Sequence, residues 1–393
     1  MTSNTLNKSS KRTKFIRLSS ITLPPNSHIS RKARFSFKKR DSNFLQNFEQ
    51  KILFYDIFWQ DENKKILLIG PPPRNLTSLM KKAKFSVDGG KTLLKAKFHI
   101  SLSVMITELS GDLSNAKELF IEFAGLKFTA PIQENISKFL PDTRIIFTIS
   151  KNNPLKWIRA WADYYYQFHD ANCLILFDNG STNANLAEIA KELEQTKIEH
   201  IILISMPYIF GAIDLAVFTN PYWTNFLQNC INSITLRRFA AQAQGLLNCD
   251  IDEFAVHREY SSIFHSLKDI PNGLLIMRGI WIEPHKYKTN HGDHRDFAYK
   301  YSDPKKNSCK SPKWVIDPKR SWVKKLNIHP YWHWIENRPP FSKYITQDAF
   351  FWHFKGINTN WKLNRNMASK NLPDNIIIDQ ELVSAMSKLV INK

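Results

Sequence analysis

Cysteine is scarce: there are 4 in 393 residues, at 173, 230, 249 and 309, no two of them close in sequence. That spacing excludes a disulfide framework and a CxxC zinc knuckle, and it points to a reducing, cytoplasmic setting. Cys173 and Cys249 fall in apolar strand-like runs, where buried free thiols are expected. Long apolar runs are missing as well. None reaches the roughly 18 residues of a membrane span, and no apolar segment follows the basic start as a secretory signal requires. A glycine-rich phosphate loop is absent, because Gly89-Gly90-Lys91 lacks the first glycine of that motif and its spacing. Acids are absent from residues 1–40, which carry 11 Lys or Arg in a chain whose formal charge is +20. An acid-poor start of this kind also has the composition of an organelle transit peptide. A solvated basic arm in peripheral contact with an anionic inner membrane is the simpler reading.

What is present is a large apolar and aromatic content: 43% hydrophobic residues, with 11 Trp, 12 Tyr and 27 Phe. That suffices for two cores and is too much for a disordered chain. Residues 1–48 read as a basic disordered tail rich in Ser, Lys, Arg and Asn. Residues 49–142 read as a small β-rich module. Ile66 to Ile69 stops at Gly70-Pro71, a run extends from Leu94 to Ile106, and Leu119–Phe123 with Leu126–Phe128 forms a hairpin around Ala124-Gly125.

At about 144 the pattern becomes strand–helix alternation. Arg144–Ser150 reads as a buried strand. Asn153-Pro154 caps a helix bearing Leu155, Ile158, Trp161, Tyr165 and Phe168 at helical spacing. Cys173–Phe177 runs into Asp178-Asn179-Gly180-Ser181, and a helix follows with Leu186, Ile189 and Leu193 on one face. His200–Ser205 is a third strand, 221–244 a long helix, and Gly245–Cys249 a fourth strand ending at Asp250. Such alternation implies an α/β fold with a doubly wound, mainly parallel sheet, whose ligands bind beyond the strand C-termini. Ser150, Asp178 and Asp250 to Asp252 all lie there. If the backbone stays extended through Asp250-Ile251-Asp252, both carboxylates face one point and suit Mn²⁺ or Mg²⁺.

An Asp-x-Asp by itself is near chance in a chain this long, and its weight comes from placement and company. Ile149-Ser150-Lys151-Asn152-Asn153, Leu176-Phe177-Asp178-Asn179-Gly180-Ser181 and Asn248-Cys249-Asp250-Ile251-Asp252-Glu253-Phe254 succeed one another. Lys313-Trp314-Val315-Ile316-Asp317-Pro318, His329-Pro330, Trp352-His353-Phe354 and Asn360-Trp361-Lys362 with Arg365 come after them. Over about 144–366 this series resembles GT-A glycosyltransferases (nucleotide-diphospho-sugar transferases, Rossmann-like), in the branch related to families 2 and 92.

The resemblance implies a domain over 143–370, a C-terminal extension at 371–393, and metal-dependent, inverting transfer of a sugar from a nucleotide-diphosphate donor. The acceptor would be a glycan or lipid-linked molecule, as in bacterial capsule or lipopolysaccharide synthesis. It further implies that Asp250, Asp252 and His353 hold the metal, that Ser150 and Asp178 meet the nucleotide, and that Lys362 and Arg365 meet the phosphates. The β-rich module and the tail have no counterpart in it.

For the catalytic base, Glu283 after the Leu274–Trp281 strand and Asp348 before Phe350 are the candidates, with Glu253 backing the metal. His291, His294, His329 and His333 lack cysteine partners at zinc spacing and read as loop or core histidines. Trp281, Trp332, Trp334 and Trp361 suit either sugar stacking or the core. Arg237-Arg238 reads as surface. Two alternatives stand beside the transferase. A nucleotidyltransferase also uses paired Asp and metal, but a glycine-rich first loop is missing. A nucleic-acid-binding protein could use the basic arm, but no recognised module accompanies it and no nucleic acid is expected.

Overall fold

The computed structural model describes residues 12–35, 37–60, 64–114, 116–340, 344–360 and 372–391. A nine-stranded sheet forms its centre. The strand order is Thr13–Ile16, His200–Ser205, Cys173–Asp178, Arg144–Ser150, Gly245–Asn248, Ser308–Ile316, Leu274–Ile282, Ala349–Phe354 and Glu253–His257. The first five strands run parallel. Ser308–Ile316 is antiparallel to both its neighbours, and Glu253–His257 is antiparallel to Ala349–Phe354.

The parallel strands are apolar on both faces, so both faces must be covered. Ile146 packs with Leu174, Leu176, Ile201 and Leu203 on one side, beneath Ile158, Trp161, Ile189 and Leu193 of helices Leu155–His169 and Leu186–Leu193. Ile145, Phe147 and Ile149 pack with Cys173, Ile175, Phe177 and Ile202 on the other, beneath helix Phe226–Ile234. The second of these helices opens with a capping box. Asn185 accepts from the Glu188 amide, and Glu188 accepts from the Asn185 amide. The first does not use the expected cap. Pro154 itself is the N-cap, and the Asn153 amide donates to Ser150 Oγ at 2.9 Å instead.

A seven-stranded antiparallel sheet spans Asp56 to Pro131. The run read from Leu94 to Ile106 divides into strands Thr92–Ile100 and Met105–Ser110, with Ser101 N bonded to Val104 O across the turn. Phe58, Leu67, Ile69, Val104 and Ile106 join the same core as Ile145 and Phe147. Ile57, Ile66, Leu68 and Met105 face a core of the module's own. The β-rich region is thus fused to the central sheet through a shared apolar layer.

Three expectations need correction. Residues 12–48 are not a solvated tail. Thr13–Ile16 pairs with 201–204 as an edge strand, and Ile21, Leu23, Phe44 and Phe48 are buried. Buried Arg31 donates to the Pro72, Glu49 and Ile52 carbonyl oxygens at 2.8, 3.2 and 2.7 Å. The 221–244 helix is shorter, running Phe226–Ile234 before widening into a π-helix at Thr235–Phe239. That wider segment carries Arg237 and Arg238 inward, not to the surface. Arg237 donates to Val323 O at 2.6 Å and Ile328 O at 3.0 Å, and Arg238 forms a buried ion pair with Asp56 at 2.8 Å.

The C-terminal segment returns to the main core. Ile376–Ile378 pairs with Tyr299–Tyr301, and Leu382, Met386 and Leu389 pack beside Phe350. Among the described residues no helix is long and apolar enough to cross a membrane.

Candidate functional site

The chain steps outward from Arg144–Ser150 through Cys173–Asp178 to His200–Ser205, then returns to lay Gly245–Asn248 on the other side of the first strand. The strand order therefore reverses between Ser150 and Asn248, where a doubly wound sheet opens a crevice. A cavity of about 670 Å³ lies there. Asp250, Asp252, Glu253, Trp281, Cys309, His353 and Lys355 line it, as do Trp332, His333 and Trp334.

Asp250 and Asp252 reach the cavity by a route different from the one expected. The backbone turns there, with Glu253 N bonded to Asp250 O at 3.1 Å, so strand alternation does not aim them. His294 supports the turn from the core, donating from Nε2 to Ile251 O at 2.7 Å while its ring stacks on Phe254. Burial pulls its pKa down to about 4, so it is neutral near pH 7. The core reading of His294 holds, and its role is to brace the acidic turn.

The acids divide into two groups. The donor atoms of Asp252, Glu253 and His353 lie within 4.8 Å of one another. His353 is brought in by strand pairing, since it stands opposite Glu253 on the adjacent antiparallel strand. Its Nε2 is 3.2 Å from Asp252 Oδ2, its Nδ1 is 3.5 Å from Cys309 Sγ, and Trp281 stacks on its ring at 4.1 Å. Burial disfavours a charged imidazole, but the Asp252 carboxylate overrides it and pushes the pKa up to about 9. Asp250 instead faces Lys313, whose Nζ is 2.9 Å from Asp250 Oδ2 and 2.9 Å from Glu253 Oε2. Burial alone would lower the Lys313 pKa, yet the two acids hold it above the ordinary range. Burial raises the Glu253 carboxyl against the pull of Lys313. Glu253 also accepts from Asp250 N at 2.8 Å, which fixes the two ends of the turn together.

Two oxygen donors and one nitrogen at this spacing fit Mn²⁺ or Mg²⁺. His353 must give up its second proton to donate to a metal; three acids then face Lys313 alone, and a divalent ion would offset the negative charge that remains. The donors grouped here are Asp252, Glu253 and His353; Asp252 and His353 belong to the trio expected from the sequence, and its third member, Asp250, faces Lys313. Lys313 was read only as part of a motif. The signal for its role was a cation opening the apolar run Trp314-Val315-Ile316, since a lysine buried in a strand requires an acid beside it.

The other candidate residues disperse. Ser150 and Asp178 stand side by side in register on adjacent strands, but neither lines the cavity. The Asp178 carboxylate accepts from Ser181 N at 3.2 Å and so shapes its own loop. Glu283 is buried behind Lys355, 2.6 Å from its Nζ, and does not line the cavity, whereas Lys355 does. Asp348 precedes the strand whose far end carries His353. It bonds Thr346 Oγ1 and lies beside Arg258, five residues and about 16 Å of extended chain from the acidic turn. That distance removes it as a base for chemistry in this cavity. Trp281, Trp332 and Trp334 line the cavity; Trp334 is 42% exposed and stacks on Tyr331 at 4.9 Å. Trp361, Lys362 and Arg365 lie outside the described residues. Asn153, expected as a helix cap, lines the cavity, and Asn225, Asn229 and Asn358 add polar lining that no motif marks.

No protein-family model matches the chain, and no curated protein matches it. Among solved structures, a nucleoside-diphosphate-sugar pyrophosphorylase from Vibrio cholerae RC9 aligns with 61% of this chain and 100% of its own at 8% identity, with a TM-score of 0.22. A likeness that weak says nothing further about the chain.

Proposed function

We propose that the chain is a metal-dependent glycosyltransferase that uses a nucleotide-diphosphate sugar and passes the sugar to a glycan or lipid-linked acceptor. One observation carries the reading: an acidic turn with a histidine partner, placed at the reversal point of a parallel sheet and facing an aromatic-walled cavity of about 670 Å³. Asp252, Glu253 and His353 would hold Mn²⁺ or Mg²⁺, which supplies neutralisation of a diphosphate leaving group. Lys313 fixes Asp250 and Glu253, and His294 fixes the turn between the aspartates. Trp332 and Trp334 offer apolar planes for sugar faces, and the asparagines offer donors and acceptors for hydroxyls.

In the transfer, the bond from the anomeric carbon to the phosphate oxygen breaks and a bond to the acceptor oxygen forms. The acceptor proton leaves to a cavity carboxylate. Among the described residues Asp250 is the lining acid outside the donor trio, which makes it the candidate for that step in place of Asp348 and Glu283.

The testing experiment is a thermal-shift panel of nucleotide sugars with and without Mn²⁺, followed by product analysis of whichever donor stabilises the protein. Metal-dependent stabilisation and release of a nucleoside diphosphate are expected. Formation of a nucleoside triphosphate and a sugar 1-phosphate when pyrophosphate is added to the same donor would replace this reading with a nucleotidyltransferase. Stabilisation unaffected by EDTA would overturn the metal site.

A further inference from the structure

Two segments far apart in sequence meet at the rim of the cavity. The first is 31–40, which carries 6 Lys or Arg and no acid. The second is the loop from Gly211 to Tyr222. Gly211, Ile213, Asn220 and Tyr222 of this loop line the cavity, while at its tip Leu215 is 72% and Phe218 88% exposed. On the neighbouring segment Phe37 is 80% exposed, and Phe35, 45% exposed, packs edge-on against it.

Both segments are held in place from beneath. Arg40 pairs with buried Asp214 at 3.0 Å, Lys38 Nζ donates to Ala216 O at 2.9 Å, and Phe44, Phe48, Ala212, Val217 and Trp223 form a small core under them. The exposed rings are therefore displayed on an anchored base. Asp214, the one acid in 209–222, is consumed by Arg40 and by Trp223 Nε1. Lys32, Lys38 and Lys39 of the same segment are exposed, and Lys38 lies over the Phe35 ring at 5.5 Å.

We infer that this surface docks the protein on an anionic lipid bilayer, with Phe37, Leu215 and Phe218 entering the interface and Lys32, Lys38 and Lys39 meeting the headgroups. Protruding apolar side chains set among cations match the two signals that reversible membrane binding needs, apolar insertion and attraction to anionic lipid. A protein partner fits less well, because interface cores are depleted in lysine. The basic character first read as a disordered tail is thus assigned to a folded surface. The docked face would open the cavity rim toward the bilayer, where a lipid-linked acceptor lies; that last point rests on the transferase reading.

The test is vesicle co-sedimentation of the full chain, which involves no turnover and so fails or succeeds apart from the donor reading. Vesicles of phosphatidylcholine alone are compared with vesicles that include phosphatidylglycerol. Binding to the anionic vesicles only, weakened by salt, is expected. F37S/F218S should reduce it by at least about tenfold, and Lys32→Glu/Lys39→Glu should also reduce it, with unfolding midpoints unchanged because all four side chains are exposed. Equal binding of neutral and anionic vesicles, or undiminished binding by F37S/F218S, would overturn the proposal. So would loss of binding in Lys8→Glu/Lys11→Glu alone, which would place the contact before this surface. Self-association abolished by F37S/F218S, without vesicle binding, would assign the surface to a second copy of the chain.

Discussion

Lys313 holds Asp250 from inside the sheet, its ammonium 2.9 Å from Oδ2 with only 1% of the lysine side chain exposed. The same ammonium reaches Glu253 Oε2 at 2.9 Å, so one cation sets two of the three cavity acids. Replacing it with methionine keeps the apolar stem and removes the charge, which leaves buried Glu253 and the cavity-wall Asp250 without their shared counter-charge. Lys313→Met should lose about 3–5 kcal/mol of stability in a denaturant titration. Lys313→Arg should lose less, since the charge remains. Equal stability of Lys313→Met and wild type would show that these acids are already neutral.

Asp252 tests the other half of the cluster. Asp252→Asn keeps the volume and removes the charge facing His353 Nε2. The metal-dependent thermal shift produced by a nucleotide sugar should disappear, and turnover should fall by at least about a hundredfold. The fold should persist, because the side chain sits at the cavity edge. Retained activity in EDTA, or in this variant, would leave the cluster as a structural ion pair.

How much of this could be seen in the residues depended on sequence distance. Arg144–Ser150, Cys173–Asp178 and His200–Ser205 are apolar runs whose both-sided burial is written locally, and they fall within a residue of their expected ends. Thr13–Ile16 is four residues long, and the partner that makes it a strand lies at 201–204. Nothing local marks it. Asp250 and Asp252 were legible as a motif, but the turn that aims them needs His294, 43 positions away. Glu283 and Asp348 were chosen for nearness to strand ends. Their pairing with Lys355 and Thr346 depends on which end of the sheet each occupies, and strand direction in the antiparallel half is not encoded in the runs themselves.

Arg238 of the π-helical segment and Asp56 of the seven-stranded sheet form a buried pair at 2.8 Å, with side chains 2% and 0% exposed. Burial raises the Asp56 carboxyl, and Arg238 opposes that shift. Asp56 also accepts from Ser19 N and Ile57 N, each at 3.0 Å. Arg238→Met should therefore destabilise by about 3–5 kcal/mol. Adding Asp56→Asn keeps an acceptor for those amides, removes the unpaired charge and should recover much of the loss. Additive costs in the double variant would mean that the pair is not coupled.

Trp334 is the ring most open to a ligand, because it lies in the cavity wall and is 42% exposed. Trp334→Ala should raise KM about tenfold and leave kcat nearly unchanged, the pattern of lost uniform binding. Its unfolding midpoint should stay close to wild type. A fall in kcat with unchanged KM would mean instead that the ring acts on the reacting atoms.

His169 gives the clearest pH prediction. Its Nε2 donates to Ala255 O at 2.7 Å and its Nδ1 accepts from Ile263 N at 3.1 Å. Both ring nitrogens are thus used in the neutral form, and a second proton would face an N–H. Burial, the larger cause, pulls its pKa from 6.5 down to about 4, and His294 shows the same shift. A depressed histidine binds its proton in the unfolded chain first. Stability is therefore full above 6.5 and falls as pH drops from there toward about 4. Each group contributes a slope of about 1.4 kcal/mol per pH unit. His169→Gln, which keeps one donor and one acceptor, should flatten the slope by about that amount when unfolding free energy is measured across the window. An unchanged slope would show that His169 titrates normally in the folded protein.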